Sequence, residues 1–358
     1  MAVYTAIDDA GSFFNPAMYT GNGSTNAITG VGFQTAAVWI KDRGATSNHC
    51  LFDAVRGVNK YLVPNTYESQ ITSSSNNLDS FDSDGFTLGA DDTGTTGLVN
   101  TNTNTYASWS WKAGTTTGID TTSSTITPTS YSFDQTSGFS ILAYTGNGTS
   151  GALLAHGLGA VPGMFITKAI AVDGTNWTVY NAGIDATAPE DYGVRLNTAA
   201  ARSDALGFWN DTAPTSVNMI LGDDGDVNTS ARLYIAYAFA PKQGYSKFGS
   251  FVGNGNADGP FIYTGFRPAL VLIKNATGTG MSWTMRGNGL NPFNPADGHV
   301  VTNTTAAEDT GKDIDILSNG FKARTTDGGV NNNGNTLVYG AWAEAPFVNS
   351  SGVPVNAR

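Results

Sequence analysis

Met18-Tyr19-Thr20-Gly21-Asn22-Gly23 comes back as Ala143-Tyr144-Thr145-Gly146-Asn147-Gly148, and again as Ser250-Phe251-Val252-Gly253-Asn254-Gly255. Self-similarity at this scale sets the architecture, so it is weighed before any local signal. After each copy comes a short apolar run ending in lysine: Ala37-Val38-Trp39-Ile40-Lys41, Met164-Phe165-Ile166-Thr167-Lys168 and Leu270-Val271-Leu272-Ile273-Lys274. Val161-Pro162 and Arg267-Pro268 precede the second and third runs, and Phe33-Gln34-Thr35 precedes the first. A Gly-Phe pair follows in each copy, at Gly85-Phe86, Gly207-Phe208 and Gly320-Phe321. Each copy then closes on an aromatic run, within 106–112, 234–241 and 339–346. Four landmarks in one order, three times over, predict three tandem copies of one unit.

Each landmark has a physical reading. Gly-Asn-Gly between apolar segments supplies the positive φ values of a tight hairpin turn. The closing runs alternate large aromatic with small residues, the period-2 pattern of a strand with one packed face. The runs ending in lysine are short, β-branched and aromatic, and read as buried strands. Asp82-Ser83-Asp84-Gly85 and Asp223-Asp224-Gly225-Asp226 read as turns. The expected fold class is therefore all-β: three antiparallel β-sandwich or jelly-roll-like repeats in one chain. The expected boundaries are an N-terminal arm at 1–16, repeats at 17–113, 138–241 and 242–347, a Thr/Ser-rich linker at 114–137, and a loosely held tail at 348–358. The arm could equally add an edge strand, and the linker is either flexible or docked as a strand. Helix is scarce, with a turn or two expected over 198–206.

Composition excludes several function classes. Only 13% of the 358 residues are charged, 11% are aromatic, and the glutamates are confined to Glu68, Glu190, Glu308 and Glu344. A chain this poor in helix formers and this rich in aromatics folds as packed strands. The formal net charge of −11 argues against nucleic acid and against anionic membrane surfaces. No apolar stretch is long enough to span a bilayer as a helix. The opening residues lack the pattern of a secretory signal, and Cys50 is alone, so synthesis in a reducing cytoplasm is expected.

No catalytic constellation emerges. His49, His156 and His299 occupy unrelated places in the repeat and read as surface or turn histidines. Cys50 beside His49 cannot pair with it on a strand, because neighbouring side chains point to opposite faces. Gly146-Asn147-Gly148-Thr149-Ser150-Gly151 matches a dinucleotide fingerprint literally, but no helix is expected after it, so the turn reading holds. A glycosidase needs paired carboxylates, and the four glutamates sit at unrelated positions. Asp82, Asp84, Asp223, Asp224 and Asp226 are weak Ca²⁺ candidates in acidic turns that lack the terminal glutamate of a full calcium loop. No cofactor is expected. The tryptophans are candidates for sugar-stacking platforms, with Trp177 and Trp283 expected in the core and Trp209 less so.

Tyr19-Thr20-Gly21-Asn22-Gly23-Ser24, Val38-Trp39-Ile40-Lys41, Phe52-Asp53-Ala54-Val55-Arg56-Gly57, Ser80-Phe81-Asp82-Ser83-Asp84-Gly85-Phe86 and Trp109-Ser110-Trp111-Lys112 together resemble a repeat domain of virion proteins of tailed bacteriophages, common among phages of marine and other aquatic bacteria. The opening Tyr4-Thr5-Ala6-Ile7-Asp8-Asp9 is also similar to the start of such proteins. The resemblance is closest in the first copy and loosest in the third. It implies a virion location and a structural, fibre-like or decoration-like role, and it carries no catalytic residues. The expected function is a non-enzymatic exterior protein of the capsid-decoration or head-fibre type. The alternative is a receptor-binding tail or fibre protein that recognises host surface glycans. Expected partners are other virion proteins, such as major capsid or tail proteins, and a host glycan under the alternative. Three similar units could give a body with threefold character suited to a capsid threefold site, and a homotrimer is the other route to closed symmetry.

Overall fold

Strands of β-branched and aromatic residues, interrupted by Gly, Asn and Asp, build the chain almost entirely from antiparallel sheet. The computed structural model describes residues 4–73, 77–91 and 98–355. The first three residues of the expected arm and the last three of the expected tail lie outside the described residues. Among the described residues there are six sheets, three large and three small.

The first segment contains β1 (Phe14–Thr20), β2 (Asn26–Ile28), β3 (Ala37–Asp42), β4 (Cys50–Asp53), β5 (Lys60–Leu62), β6 (Ile71–Thr72), β7 (Ser80–Asp82), β8 (Gly85–Leu88) and β9 (Thr105–Trp111). The second contains β10 (Ser130–Asp134), β11 (Phe139–Thr145), β12 (Ala152–Ala155), β13 (Met164–Ala169), β14 (Trp177–Asn181), β15 (Tyr192–Arg195), β16 (Ser203–Asp204), the single-turn helix α1 (Leu206–Trp209), β17 (Asn218–Leu221) and β18 (Leu233–Phe239). The third contains β19 (Ser246–Val252), β20 (Phe261–Tyr263), β21 (Phe266–Asn275), β22 (Thr284–Arg286), β23 (Val300–Val301), β24 (Ile314–Leu317), β25 (Gly320–Ala323), the single-turn helix α2 (Gly328–Asn331) and β26 (Thr336–Pro346).

The large sheets share a core order: β1-β9-β3-β4, β11-β18-β13-β14 and β19-β26-β21-β22. In each, the closing aromatic strand lies between the strand that leads into Gly-Asn-Gly and the strand that ends in lysine. A small sheet covers one face of each large sheet: β2-β8-β7, β12-β17 and β20-β25-β24. Under the first cover, Ile28, Phe86 and Leu88 pack with Val38, Ile40, Phe52 and Tyr106. Under the second, Leu154, Met219 and Leu221 pack with Leu142, Tyr144, Phe165 and Tyr234. The opposite faces of all three large sheets run together into one apolar cluster that includes Trp39, Trp109, Ile166, Tyr237, Leu270 and Leu272.

Four expectations change. Gly-Asn-Gly does not make a hairpin. Its flanking strands belong to different sheets, since β1 pairs with β9 while β2 pairs with β8. It is the corner where the chain leaves a large sheet for its cover. The closing strands are packed on both faces, buried from their second residue through their seventh in β9 and β18, because each is roofed by a small sheet and floored by the shared cluster. Gly207-Phe208 is not the counterpart of the other Gly-Phe pairs. Register matches Ile28 with Phe86, Ile262 with Phe321 and Leu154 with Met219, while Phe208 sits in α1. That helix starts at Leu206, the last residue of the expected 198–206 turn, and runs on to Trp209.

The described parts of the expected arm and tail, and the linker, are docked. Phe14–Pro16 of the expected arm open β1, an edge strand where a proline costs no ladder bond. Thr5 is buried, with its hydroxyl donating to Gln243 O at 3.0 Å. The linker holds β10, which pairs with β11. The described tail folds back through a Val348–Pro354 bridge, and Ser350 N donates to Asp8 Oδ1 at 2.6 Å.

Candidate functional site

The Gly-Asn-Gly corners explain their own sequence. A Cβ on Gly21, Gly146 or Gly253 would lie 2.2, 2.3 or 2.2 Å from the carbonyl oxygen of Thr101, Thr229 or Asn332. Gly23, Gly148 and Gly255 hold φ of 67°, 69° and 64°, the left-handed region that glycine enters without strain. The asparagine between them meets a buried partner just upstream of the closing strand. Asn22 N donates to Asn100 Oδ1 at 3.0 Å, Asn147 N to Asn228 Oδ1 at 2.8 Å, and Asn254 N to Asn331 Oδ1 at 2.9 Å. The return bonds run from Asn100, Asn228 and Asn331 Nδ2 to the corner asparagine Oδ1 at 3.2, 3.1 and 3.1 Å. Each buried amide also donates to a carbonyl on each side, as Asn228 does to Thr149 O and Gly222 O, both at 2.9 Å. A buried amide so fully bonded fixes the corner, because any vacated partner would be left desolvated.

The lysines define the seams between segments. Lys41, Lys168 and Lys274 are all buried. Lys168 Nζ donates to Tyr67 O of the first segment at 3.3 Å. Lys274 Nζ donates to Ala199 O of the second at 3.5 Å. Lys41 Nζ donates to Thr305 O of the third at 3.3 Å. The second segment thus holds the first, the third holds the second, and the first holds the third. A backbone bond reinforces every seam two residues past the lysine: Gln70 N to Ile170 O at 3.0 Å, Arg202 N to Ala276 O at 2.7 Å, and Glu308 N to Arg43 O at 2.9 Å. The segments close a ring; they are not strung out in a line.

The accepting loops share a signature that the sequence reading missed. Asn65-Thr66, Asn197-Thr198 and Asn303-Thr304 stand directly before Tyr67, Ala199 and Thr305. Each asparagine Oδ1 accepts the backbone N–H of the residue opposite the lysine: His49 at 2.9 Å, Trp177 at 3.1 Å and Trp283 at 3.2 Å. The repeated Asn-Thr pair was the available signal.

At the centre, the last residues of the common closing register meet. Trp111, Phe239 and Trp342 lie opposite Ala37, Met164 and Leu270, equivalent places in the three lysine strands. Their ring centres are 6.2 Å apart for Trp111–Phe239, 5.6 Å for Trp111–Trp342 and 5.2 Å for Phe239–Trp342. These are edge-to-face and tilted geometries, favourable for aromatic quadrupoles. Around them remains an apolar cavity of about 30 Å³, a space of the kind that stays dry.

The seams also carry charge. Arg56 and Asp53 form a buried pair at 2.6 Å, and Tyr237 of the second segment donates to Asp53 Oδ2 at 2.7 Å. Burial pushes the three seam lysines down to about 8. Burial, with Lys41 nearby, pushes His49 down to about 3.

The sequence-nominated residues separate into clear fates. His49, His156 and His299 are all buried, contrary to the surface reading. His49 is part of a seam, accepting from Trp39 Nε1 at 2.9 Å and bonding Val301 O at 3.1 Å. Burial holds His156 and His299 down to about 4 each. Cys50 is buried in the first covered core, and burial pushes its thiol far up. All seven tryptophans are buried, Trp209 included, so none is a sugar platform. Four of the five Ca²⁺ candidates already accept hydrogen bonds. Asp82 accepts from Ser80 and Thr87 hydroxyls, both at 2.6 Å. Asp84 accepts the backbone N–H groups of Gly30 and Gly32. Asp226 holds Asn176 and Arg195, and Asp224 caps Asp226 N at 2.7 Å. Asp223 joins no metal-like group: among the described residues no three His, Cys, Asp or Glu side chains converge as one. Glu308 and Glu344 are paired with Arg43 and Arg267. No helix among the described residues is long and apolar enough to cross a membrane.

A family model described as a domain of unknown function, DUF7483, matches residues 9–346. No curated protein matches the chain, and no solved structure matches it.

Proposed function

The chain belongs to the DUF7483 family, and we propose that it is an exterior structural protein of a phage virion, of the capsid-decoration or head-fibre type. The observation that carries this reading is the closed ring. Three lobes joined by the same lysine-to-carbonyl seam around one aromatic axis give a single chain threefold character without assembly. Such a body suits a threefold position on a shell, where closed symmetry is the rule. The resemblance of the first segment to virion repeat domains points the same way.

The test is a count. Quantitative mass spectrometry of purified virions, scaled to the major capsid protein, should find a copy number that tracks the shell. A count of only a few per particle would favour the tail or fibre receptor-binding alternative. Absence from the particle would discard the virion reading. Light scattering of the free protein separates the two routes to threefold symmetry: a mass near 37.3 kDa fits one chain supplying it alone, and three times that fits a homotrimer.

A further inference from the structure

We propose that the third lobe carries a cleft for acidic sugar residues, walled by Tyr4 and Tyr263 and charged by Lys242 and Lys247. The proposal does not depend on where the protein sits on a particle.

Strand alternation starts the argument. In β20, Ile262 points inward, and Phe261 and Tyr263 point outward, 46% and 54% exposed. β20 is the edge of its small sheet, and Tyr263 lies opposite Gly320, which has no side chain to cover it. The corresponding positions in the first lobe are Ala27 and Thr29, and in the second Leu153 and Ala155. The fold is built twice without this aromatic pair, so packing does not require it.

Tyr263 is also one wall of a concave cleft of about 310 Å³. Tyr4, 56% exposed, forms another wall, the turn between β18 and β19 supplies Lys242 and Gln243, and β19 supplies Lys247. Lys247 Nζ donates to Tyr263 O at 2.7 Å and stands 5.5 Å from the Tyr263 ring centre. That bond uses one of three ammonium donors. No carboxylate lines the cleft, on a chain whose net charge is −11.

The chemistry selects the ligand. Exposed tyrosine rings offer an apolar face with a polar tip, which matches the C–H face and hydroxyl rim of a pyranose. Lys247, which has no acid beside it, selects a carboxylate through a charge-assisted hydrogen bond, and Lys242, which also faces Asp134, adds positive charge to the same cleft. The volume is at the lower end of ligand pockets, roughly 300 Å³ upward, so one sugar residue of a chain fills it. A nucleic acid also offers stacking and negative charge, but it needs a wider basic footprint than two lysines on an acidic protein.

Isothermal titration of the full-length protein tests this with galacturonic acid oligomers, neutral galactose oligomers and a single-stranded oligonucleotide as probes. The acidic oligomers should bind, and added salt should weaken them. Tyr263→Ala and Lys247→Gln should each weaken binding by about tenfold or more, while Tyr263→Trp retains it. Phe293→Ala, at an exposed aromatic outside the cleft, should change nothing. Near-ultraviolet circular dichroism checks that each variant is folded. Any of four results overturns the proposal: no binding of the acidic oligomers, equal binding of the neutral ones, binding indifferent to both cleft variants, or tighter binding of the oligonucleotide. None of these bears on the virion count, so the two readings fail separately.

Discussion

The inner and outer halves of each lobe have diverged to different degrees. On the inner side, equivalent positions keep equivalent partners: the lysine, its accepting carbonyl, the loop asparagine and the axial aromatic recur in all three segments. On the outer side the covers differ. The small sheets have three strands, two strands and three strands, and the second is bridged by Ile126 at Leu154. The difference teaches where the constraint lies. An inner side chain answers to two neighbouring segments at once, and an outer one only to its own sheet. Seam bonds that end on backbone carbonyls also tolerate sequence change in the accepting loop, which carries Tyr67, Ala199 and Thr305 in turn.

The strongest way to break this comparison is at the axis. Trp342→Ala removes a ring that packs on Trp111, Phe239, Phe248 and Phe14. The expected cost is about 3–5 kcal/mol, read from urea unfolding. Hydrogen exchange should accelerate in all three segments. Phe86→Ala, under the first cover, should accelerate it chiefly in the first. Loss confined to the third segment in Trp342→Ala would mean that the axis is not shared.

A second effect of similar order comes from pH. The seam lysines sit at about 8 in the fold, against 10.5 for the free side chain. Between these values the unfolded chain binds more protons than the folded one, so stability rises with pH. The expected gain is up to about 1 kcal/mol per lysine for each pH unit above 8. Burial raises Tyr19, Tyr144, Tyr237 and Tyr245 well above 10, so the folded state holds their protons longer and stability falls again above that value. The melting temperature should therefore climb from pH 8 and turn over near 10. A flat profile through that window would remove the buried-ammonium account of the seams.

Much of this was legible in the sequence, and the reason it stopped is physical. Gly-Asn-Gly and the lysine runs marked out three segments because the same residue types recur there in one order, and the three large sheets share a strand order. What each landmark bonds was not legible. Gly-Asn-Gly reads as a hairpin to local propensity, and only Asn100, Asn228 and Asn331, far along the chain, reveal it as a sandwich corner. The lysines read as strand ends because their acceptors belong to another segment, and repetition alone does not say how copies sit around one another. Likewise His49 reads as a turn residue until Val301 of the third segment closes over it. Tyr4 and Tyr263 are ordinary residues in sequence; only the docked N-terminal stretch brings them to one cleft.

The corner clamps rank next. Asn228→Ala strips four hydrogen bonds from a buried amide and leaves Asn147 N and two carbonyls unpaired. The expected cost is about 1–3 kcal/mol. Asn100→Ala and Asn331→Ala should fall in the same range, since the bonding is shared. Chemical denaturation of the three variants checks this. One variant that costs nothing would show that its corner is held by the glycines alone.

The smallest effect sharpens the outer half. Replacing Phe261 by Ala and Tyr263 by Thr in the third lobe makes its β20 edge resemble the first, where Ala27 and Thr29 are exposed. Exposed positions away from packed contacts change stability by only about 0.5 kcal/mol either way. The double variant should therefore melt with the parent, within that margin. The reciprocal change, Ala27→Phe with Thr29→Tyr, should be equally silent in the first lobe. It should also fail to create sugar binding there, because the first lobe has no counterpart of the Tyr4 wall or of the Lys242 and Lys247 pair beside it. A stability loss well beyond the margin in the third lobe would mean that its aromatic pair serves packing, and the asymmetry between lobes would then be structural in origin.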